Sequence, residues 1–198
     1  TTQLVNIRSV SHHEGPLADA IEAALRPLAH LQVQRIDNIV VARTDLGHPE
    51  RVVLAGHIDT VPENANLPVQ RTVRDGEDVL VGLGTCDMKG GVAVMLRAAH
   101  DMAAPTRDLT YVFYDCEEVE SHHNGLFRLS QSHPDLLHAD FAVLLEPTLA
   151  GIEAGCQGTL RAEIRLSGRR AHTARAWMGS NAIHAAAPIL ERLAHYDP

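Results

Sequence analysis

The sequence predicts an α/β protein: a mostly parallel sheet flanked by helices, followed by the start of an α+β unit. Two observations carry the first part. Short apolar runs such as Val52-Val-Leu-Ala55 and Leu109-Thr-Tyr-Val-Phe-Tyr114 have no in-strand alternation, which strands covered on both faces require. Stretches of helical spacing lie between them. A third observation carries the second part. Beyond Gly155-Cys-Gln-Gly158 the texture becomes strictly alternating, with Leu160, Ala162, Ile164 and Leu166 on one face and Arg161, Glu163 and Arg165 on the other. That is the pattern of a half-exposed strand in an antiparallel sheet.

The elements follow in order. Residues 14–29 place Leu17, Ile21, Ala24, Leu25 and Leu28 on one helical stripe, with Pro27 marking the last turn or a kink. Residues 33–43 read as strand around the turn pair Asp37-Asn38, and residues 52–55 as a buried strand. Residues 62–77 are polar and irregular, a loop with at most an edge strand. A helix over 90–104 is opened by glycines and ended before Pro105, and a second buried strand covers 109–114. A short helix over 124–132 and a third buried strand over 141–145 complete the first unit. After the alternating strand of 159–166, a helix over 181–195 carries Ile183, Ala187, Leu190 and Ala194 on one side, with Pro188 inside it. The boundary is expected near Gly158, giving a catalytic domain over 1–157 and a partial second domain over 158–198. About 40 residues of this kind bury too little to be stable alone.

Composition narrows the class. The chain has 198 residues, 45% of them hydrophobic but only 4% aromatic, so the core must be aliphatic. No apolar stretch approaches the ~20 residues of a membrane span. The opening Thr-Thr-Gln-Leu-Val-Asn-Ile-Arg lacks the basic start and apolar core of a secretory signal. A net charge of -8 argues against nucleic acid, which selects basic surfaces. Cys86, Cys116 and Cys156 form no Cys-x-x-Cys pair. They are expected as small buried hydrophobes in a reducing cytoplasm rather than as a disulfide framework.

The chemistry gathers at strand ends. In open α/β sheets ligands sit beyond the carboxyl ends of the strands, and His57, Glu117, Glu118 and Glu146 all fall there. His57-Ile-Asp59 suits a metal-binding imidazole oriented by a carboxylate, though a hydrogen-bonded structural pair at a turn has the same spacing. Asp87, in Gly82-Leu-Gly-Thr-Cys-Asp-Met-Lys-Gly-Gly91, sits in a loop that opens a helix. The loop lacks the third glycine of a dinucleotide fingerprint and the Gly-Lys-Ser/Thr ending of a phosphate loop. A fixed carboxylate able to bridge two metals fits better, with Lys89 a structural or field-tuning cation. Glu117 and Glu118 would repel if both were ionised close together, unless a cation intervenes; a solvated acidic loop, with Glu120 nearby, is the plainer reading. Four carboxylate positions and one imidazole taken jointly point to a metal centre with a general base, and the absence of paired thiolates suits zinc or another divalent first-row metal. His172, between arginines in Arg169-Arg-Ala-His-Thr-Ala-Arg175, is either a surface residue or a contact to an anionic substrate.

These motifs resemble a family. Gly56-His-Ile-Asp-Thr-Val-Pro62, the 82–91 loop, the Glu117-Glu118 pair and Leu145-Glu-Pro-Thr148 are similar to the dinuclear zinc amidohydrolases of the aminoacylase and carboxypeptidase group, across nearly the whole chain. Within that group the stretches 108–118, 152–161 and 170–184 look most like the actinobacterial-type succinyl-diaminopimelate desuccinylases. The resemblance implies a zinc-peptidase-like catalytic domain that hydrolyses an N-acyl amide. The substrate would be N-succinyl-diaminopimelate, cleaved to succinate and diaminopimelate for lysine biosynthesis, or in sibling branches acetylornithine or a peptide.

It implies two Zn2+ ions per complete site, with Co2+ the alternative: His57 and Glu146 on one, Asp87 bridging, Glu118 on the other. Asp59 would orient His57, Glu117 would be the general base and acid, and the Asp87-Met88 peptide would be cis. The second domain would be a lid that forms a homodimer, its His172 stabilising the oxyanion in a neighbour's site. The group's chains are nearly twice this long and supply a last histidine from their C-terminal half. This chain, starting without Met and stopping at Pro198, is therefore expected to be an N-terminal portion, and an inactive metal-binding fragment is the alternative from another class.

Overall fold

Helix α1 (Thr2–Asn6) opens the chain and buries Val5. Helix α2 (Gly15–Leu25) starts with a proline in its first turn, where no N–H is needed, and buries Leu17, Ala18, Ile21 and Leu25 along one stripe. The computed structural model describes residues 1–155 and 161–197. Strands β1 (Gln32–Ile36) and β2 (Ile39–Arg43) form a hairpin, with Asp37 at a φ of 51° in its turn. Strand β3 (Arg51–His57) follows. The 62–77 region, expected as a loop with at most an edge strand, yields part of a second hairpin. Strands β4 (Gln70–Arg74) and β5 (Glu77–Val81) pair antiparallel about Asp75-Gly76, with φ of 51° and 84°. Helix α3 (Lys89–Asp101) leads to β6 (Asp108–Tyr114). Helix α4 (Gly125–Ser132) is capped by the Asn124 side chain, which accepts from the N–H groups of Leu126 and Phe127. A 3-10 turn at Pro134–Leu136 precedes β7 (Phe141–Leu144).

The main sheet has the order β1-β2-β6-β3-β7. Strand β3 is parallel to both β6 and β7, and only β2 runs against the rest, so the sheet is mostly parallel. Alternation divides the core between the two faces. Val40, Ala42, Tyr111 and Phe113 pack with Leu17, Ile21, Val92 and Met95 of α2 and α3. Ile39, Val41, Val112 and Tyr114 pack with Leu129 of α4. Every residue of β6 is therefore buried.

Three expectations need correction. The 141–145 run is not a buried strand: all four residues of β7 are exposed, with Phe141 at 65%, and among the described residues β7 pairs with β3 alone. Cys86 is exposed, while Cys116 is buried as expected; Cys156 lies outside the described residues. In the strand expected over 159–166, Thr159 and Leu160 lie outside the described residues, and 161–166 form no strand. A strand needs a hydrogen-bonded neighbour, and this stretch has none among the described residues.

The chain divides into two compact units, Thr1–Ile152 and Glu153–Pro198. The boundary expected at Gly158 lies outside the described residues. In the second unit the helix expected over 181–195 is broken in two, α5 (Ala182–Ala185) and α6 (Ala187–Ala194). Pro188 supplies the reason: it stands in the first turn of α6, where its missing N–H costs nothing, instead of interrupting a longer helix. A 3-10 helix, Thr173–Met178, and a single bridge between Arg169 and Ser180 precede them.

Candidate metal centre

Parallel strands end on the same side, and the sequence places polar residues at those ends. His57 is the last residue of β3, Glu117 and Glu118 follow β6, and Glu146 follows β7. Register explains the meeting: Ala55 pairs with Leu144 and His57 with Tyr114. Asp87 arrives from the loop before α3, and its peptide bond to Met88 is cis, as the resemblance implied. Close packing of α3 sets this loop against β7. A Cβ on Gly91 would stand 2.4 Å from the Leu145 carbonyl oxygen, so only glycine permits the approach.

The His57 ring is 1% exposed, and its two nitrogens face carboxylates. Nε2 lies 2.8 Å from Asp87 Oδ1 and 4.0 Å from Glu146 Oε2. Nδ1 lies 3.1 Å from the Asp59 carbonyl oxygen and 3.4 Å from Asp59 Oδ1. His57, Asp87 and Glu118 each present a ligand atom, all within 4.8 Å of one another. Asp59 is fully buried and does most of the bracing. Its Oδ2 accepts from Ser11 Oγ at 2.7 Å and the Glu118 N–H at 3.1 Å; its Oδ1 accepts from the Glu117 N–H at 3.0 Å.

The charge balance is negative. Burial opposes protonation of His57, but its hydrogen bonds to Asp59 and Asp87 and the charges of Asp59 and Glu146 prevail, raising its pKa to about 9. Burial raises Glu118, and the charge of Asp87 raises it further against the pull of His57. Burial likewise raises Glu146, with Asp87, Glu117 and Glu118 adding to it and His57 opposing. Carboxylates that destabilise one another's ionised forms around one imidazole are a donor set a divalent cation fits. The Asp59 carboxyl is held below its ordinary value: burial alone would raise it, but hydrogen bonds from His57, the Glu117 and Glu118 peptides and Ser11 outweigh that.

The first unit thus brings together His57, Asp59, Asp87, Glu118 and Glu146, with Glu117 beside them. His172 belongs to the second unit, where its Nδ1 accepts from the Ala174 N–H at 3.1 Å and caps the 3-10 helix. Lys89 is 1% exposed; burial lowers its pKa to about 8, and Nζ donates to the Ile7 carbonyl at 2.8 Å. Sequence reasoning missed Ser11 and Glu14, both contributed by the segment before α2; no spacing marks a side chain whose partner lies 48 residues away, as Asp59 does from Ser11, or 102, as Cys116 does from Glu14.

A second group, Glu14, Asp115 and Cys116, also has donor atoms within 4.8 Å. Its acceptors are occupied: Asp115 pairs with Arg128, and Glu14 accepts from the peptide and thiol of Cys116.

Fold and site together define an α/β protein with a candidate metal centre: a mostly parallel sheet with imidazole and carboxylates converging at its strand ends. Residues 53–195 match the family model described as peptidase family M20/M25/M40, and the chain belongs to that family. The family is one of metallopeptidases, and the His57, Asp87 and Glu118 group offers donors for a metal. The chain is 52% identical over 197 residues to a Mycobacterium tuberculosis (strain H37Rv) protein provisionally named succinyl-diaminopimelate desuccinylase DapE, covering 99% of this chain and 54% of that one. It is 49% identical over 201 residues to the succinyl-diaminopimelate desuccinylase of Corynebacterium glutamicum, covering 99% and 53%. It spans about half the length of these relatives. Among solved structures, a tripeptidase from Staphylococcus aureus shares the fold with a TM-score of 0.68 at 21% identity, covering 96% of this chain and 54% of that one. No helix among the described residues is long and apolar enough to cross a membrane.

Proposed function

We propose that this chain is the metal-binding portion of an amidohydrolase that cleaves N-succinyl-diaminopimelate to succinate and diaminopimelate, a step of lysine biosynthesis in the cytoplasm. The observation that carries this reading is the 49–52% identity to proteins named for that reaction over 99% of the chain. The strand-end donor set supports it. His57 and Glu146 would hold one zinc ion, Asp87 would bridge, and Glu118 would hold a second. Bound there, the metal supplies Lewis acidity, polarising the amide carbonyl and making water a better nucleophile near neutral pH.

The chain's own residues do the rest. Asp59 keeps the His57 ring in one orientation through its contacts at Nδ1. Glu117 takes the proton of the attacking water and returns it to the leaving nitrogen, as a carboxylate beside the reacting atoms can. Its neighbour Glu118 differs in role although adjacent, because only Glu118 has an oxygen grouped with His57 and Asp87. His172 would act through a homodimer formed by the second domain, donating to the oxyanion of the partner's substrate.

The test is metal content and product release from the 198-residue chain. Zinc should bind and be lost on His57→Ala, and any succinate released from N-succinyl-diaminopimelate should exceed acetate released from acetylornithine. Faster turnover of acetylornithine would overturn the substrate assignment. Zinc bound with neither product released would limit this chain to metal binding.

A further inference from the structure

Glu14 is fully buried, with no ion pair to any described residue, at the start of α2. A buried carboxylate is costly unless its oxygens are engaged. Asn38 Nδ2 donates to Oε2 at 3.4 Å, and two of the donors to the other oxygen come from the loop after β6. Glu14 Oε1 accepts from the Cys116 N–H at 3.2 Å and the Cys116 thiol at 3.3 Å, and from the His12 N–H at 2.9 Å. Cys116 itself is held at a φ of 57°, a left-handed conformation disfavoured for a residue with a Cβ. The next two peptides, of Glu117 and Glu118, donate to the two oxygens of Asp59. Three consecutive N–H groups, of residues 116, 117 and 118, are thus gripped by two buried carboxylates from distant segments.

We infer that Glu14 is a positioning residue for the metal centre. With Asp59 it fixes the left-handed turn at Cys116 that aims Glu117 and Glu118 past the strand end. Adjacent side chains on an extended strand point in opposite directions. Had β6 simply continued, one of the two would have faced away. The turn at Cys116 breaks that alternation, and Glu14 is the acceptor that satisfies its N–H. This inference deepens the metal-centre reading and rests on it. It assigns Glu14 no contact with metal or substrate.

The experiment compares Glu14→Gln, Glu14→Asp and Glu14→Ala with a control, Asp108→Asn. Asp108 is another buried carboxylate that accepts backbone N–H groups, but at the opposite end of β6. Amide hydrogen exchange on the metal-free chain reads the turn directly, and Co2+ titration reads the centre. E14A should lower protection of the 116–118 amides at least tenfold and weaken Co2+ binding about 10–100-fold, the range for lost outer supports of metal ligands. E14D, one methylene short of the Cys116 peptide, should behave like E14A, and serves if E14A does not fold. E14Q, which still offers an oxygen, should stay within a few-fold of wild type. Unchanged protection in E14A and E14D would overturn the inference. So would an E14Q as impaired as E14A, which would mean that an acceptor oxygen at this position does not suffice, or an equal loss in D108N, which would make the effect general destabilisation. If the wild-type chain binds no metal, the metal-centre reading fails, while the exchange data still decide the role of Glu14 in the turn.

Discussion

Replacing Asp59 with asparagine changes one heavy atom, an oxygen to a nitrogen, and almost no volume, yet it should disable the centre. Three donors converge on the two carboxylate oxygens: Ser11 Oγ at 2.7 Å, Glu117 N at 3.0 Å and Glu118 N at 3.1 Å. An amide has one oxygen and one NH2. If the NH2 takes the Oδ2 position, Ser11 can rotate to accept, but the Glu118 N–H faces a donor. If it takes the Oδ1 position, the Glu117 N–H does. In either rotamer a peptide N–H bonded to a fully buried side chain loses its acceptor, which costs about 1–3 kcal/mol, and the surviving bonds lose the strengthening that an ionised acceptor gives. A total of about 2–4 kcal/mol is expected for the metal-free chain from these hydrogen-bond values. Metal affinity should fall about 10–100-fold, because the ring of His57 and the backbone of Glu118 lose the same support. Urea unfolding and Co2+ titration measure the two effects, with Ser11→Ala as a control that removes one donor and creates no clash. A D59N chain within about 0.5 kcal/mol of wild type and with unaltered affinity would refute the claim that Asp59 organises the site.

Three other outcomes are expected. Asp108 accepts from Thr44 Oγ1 at 2.7 Å, Leu46 N at 2.8 Å and His48 N at 3.0 Å; burial pushes its pKa up, but these bonds outweigh it and hold it at about 2. A lowered folded pKa stabilises above the ordinary carboxylate value and is lost as pH falls towards about 2, so D108N should cost about 1–3 kcal/mol at pH 7 and flatten the acid limb of a urea-midpoint profile; an unchanged limb would contradict this. Gly91→Ala forces a methyl to within 2.4 Å of the Leu145 carbonyl oxygen and 2.7 Å of Met88 Cε, and should cost about 1–3 kcal/mol in thermal or urea unfolding while weakening metal binding through displaced Glu146. Zinc at a hundred times its Kd should stabilise the chain by about 2.7 kcal/mol, reversibly on chelation and not in His57→Ala; a melting temperature indifferent to zinc would count against the centre.

Much of this was legible in the residues. The apolar runs of β3 and β6 announced buried parallel strands, and the topology then required His57, Glu117, Glu118 and Glu146 to share one side. Hydrophobic runs alone do not distinguish a strand covered on both faces from one left open: Phe141, Val143 and Leu144 have the composition of a core strand but are exposed, with one strand neighbour among the described residues. The β4–β5 hairpin carried a local signal, Asp75-Gly76 between strand-forming residues, that marks a two-residue turn with both φ positive. The break before α6 follows from Pro188 once the first turn is considered as its place. Side-chain support was not legible. Glu14 reads as the start of an amphipathic helix, and nothing in its neighbourhood announces a bond to Cys116.

The bonds at the acidic loop span 102 residues from Glu14 to Cys116 and 58 from Asp59 to Glu117. Such separations mean that the loop cannot take its shape locally during folding; it is set only when the chain's opening segment has closed over the finished sheet. The centre therefore carries a check on its own assembly. A chain beginning just after Glu14 would retain His57, Asp87, Glu118 and Glu146 and lose the acceptor that shapes the turn between strand and donors. Truncation near residue 14 should weaken the centre's hold on metal without touching a single donor atom.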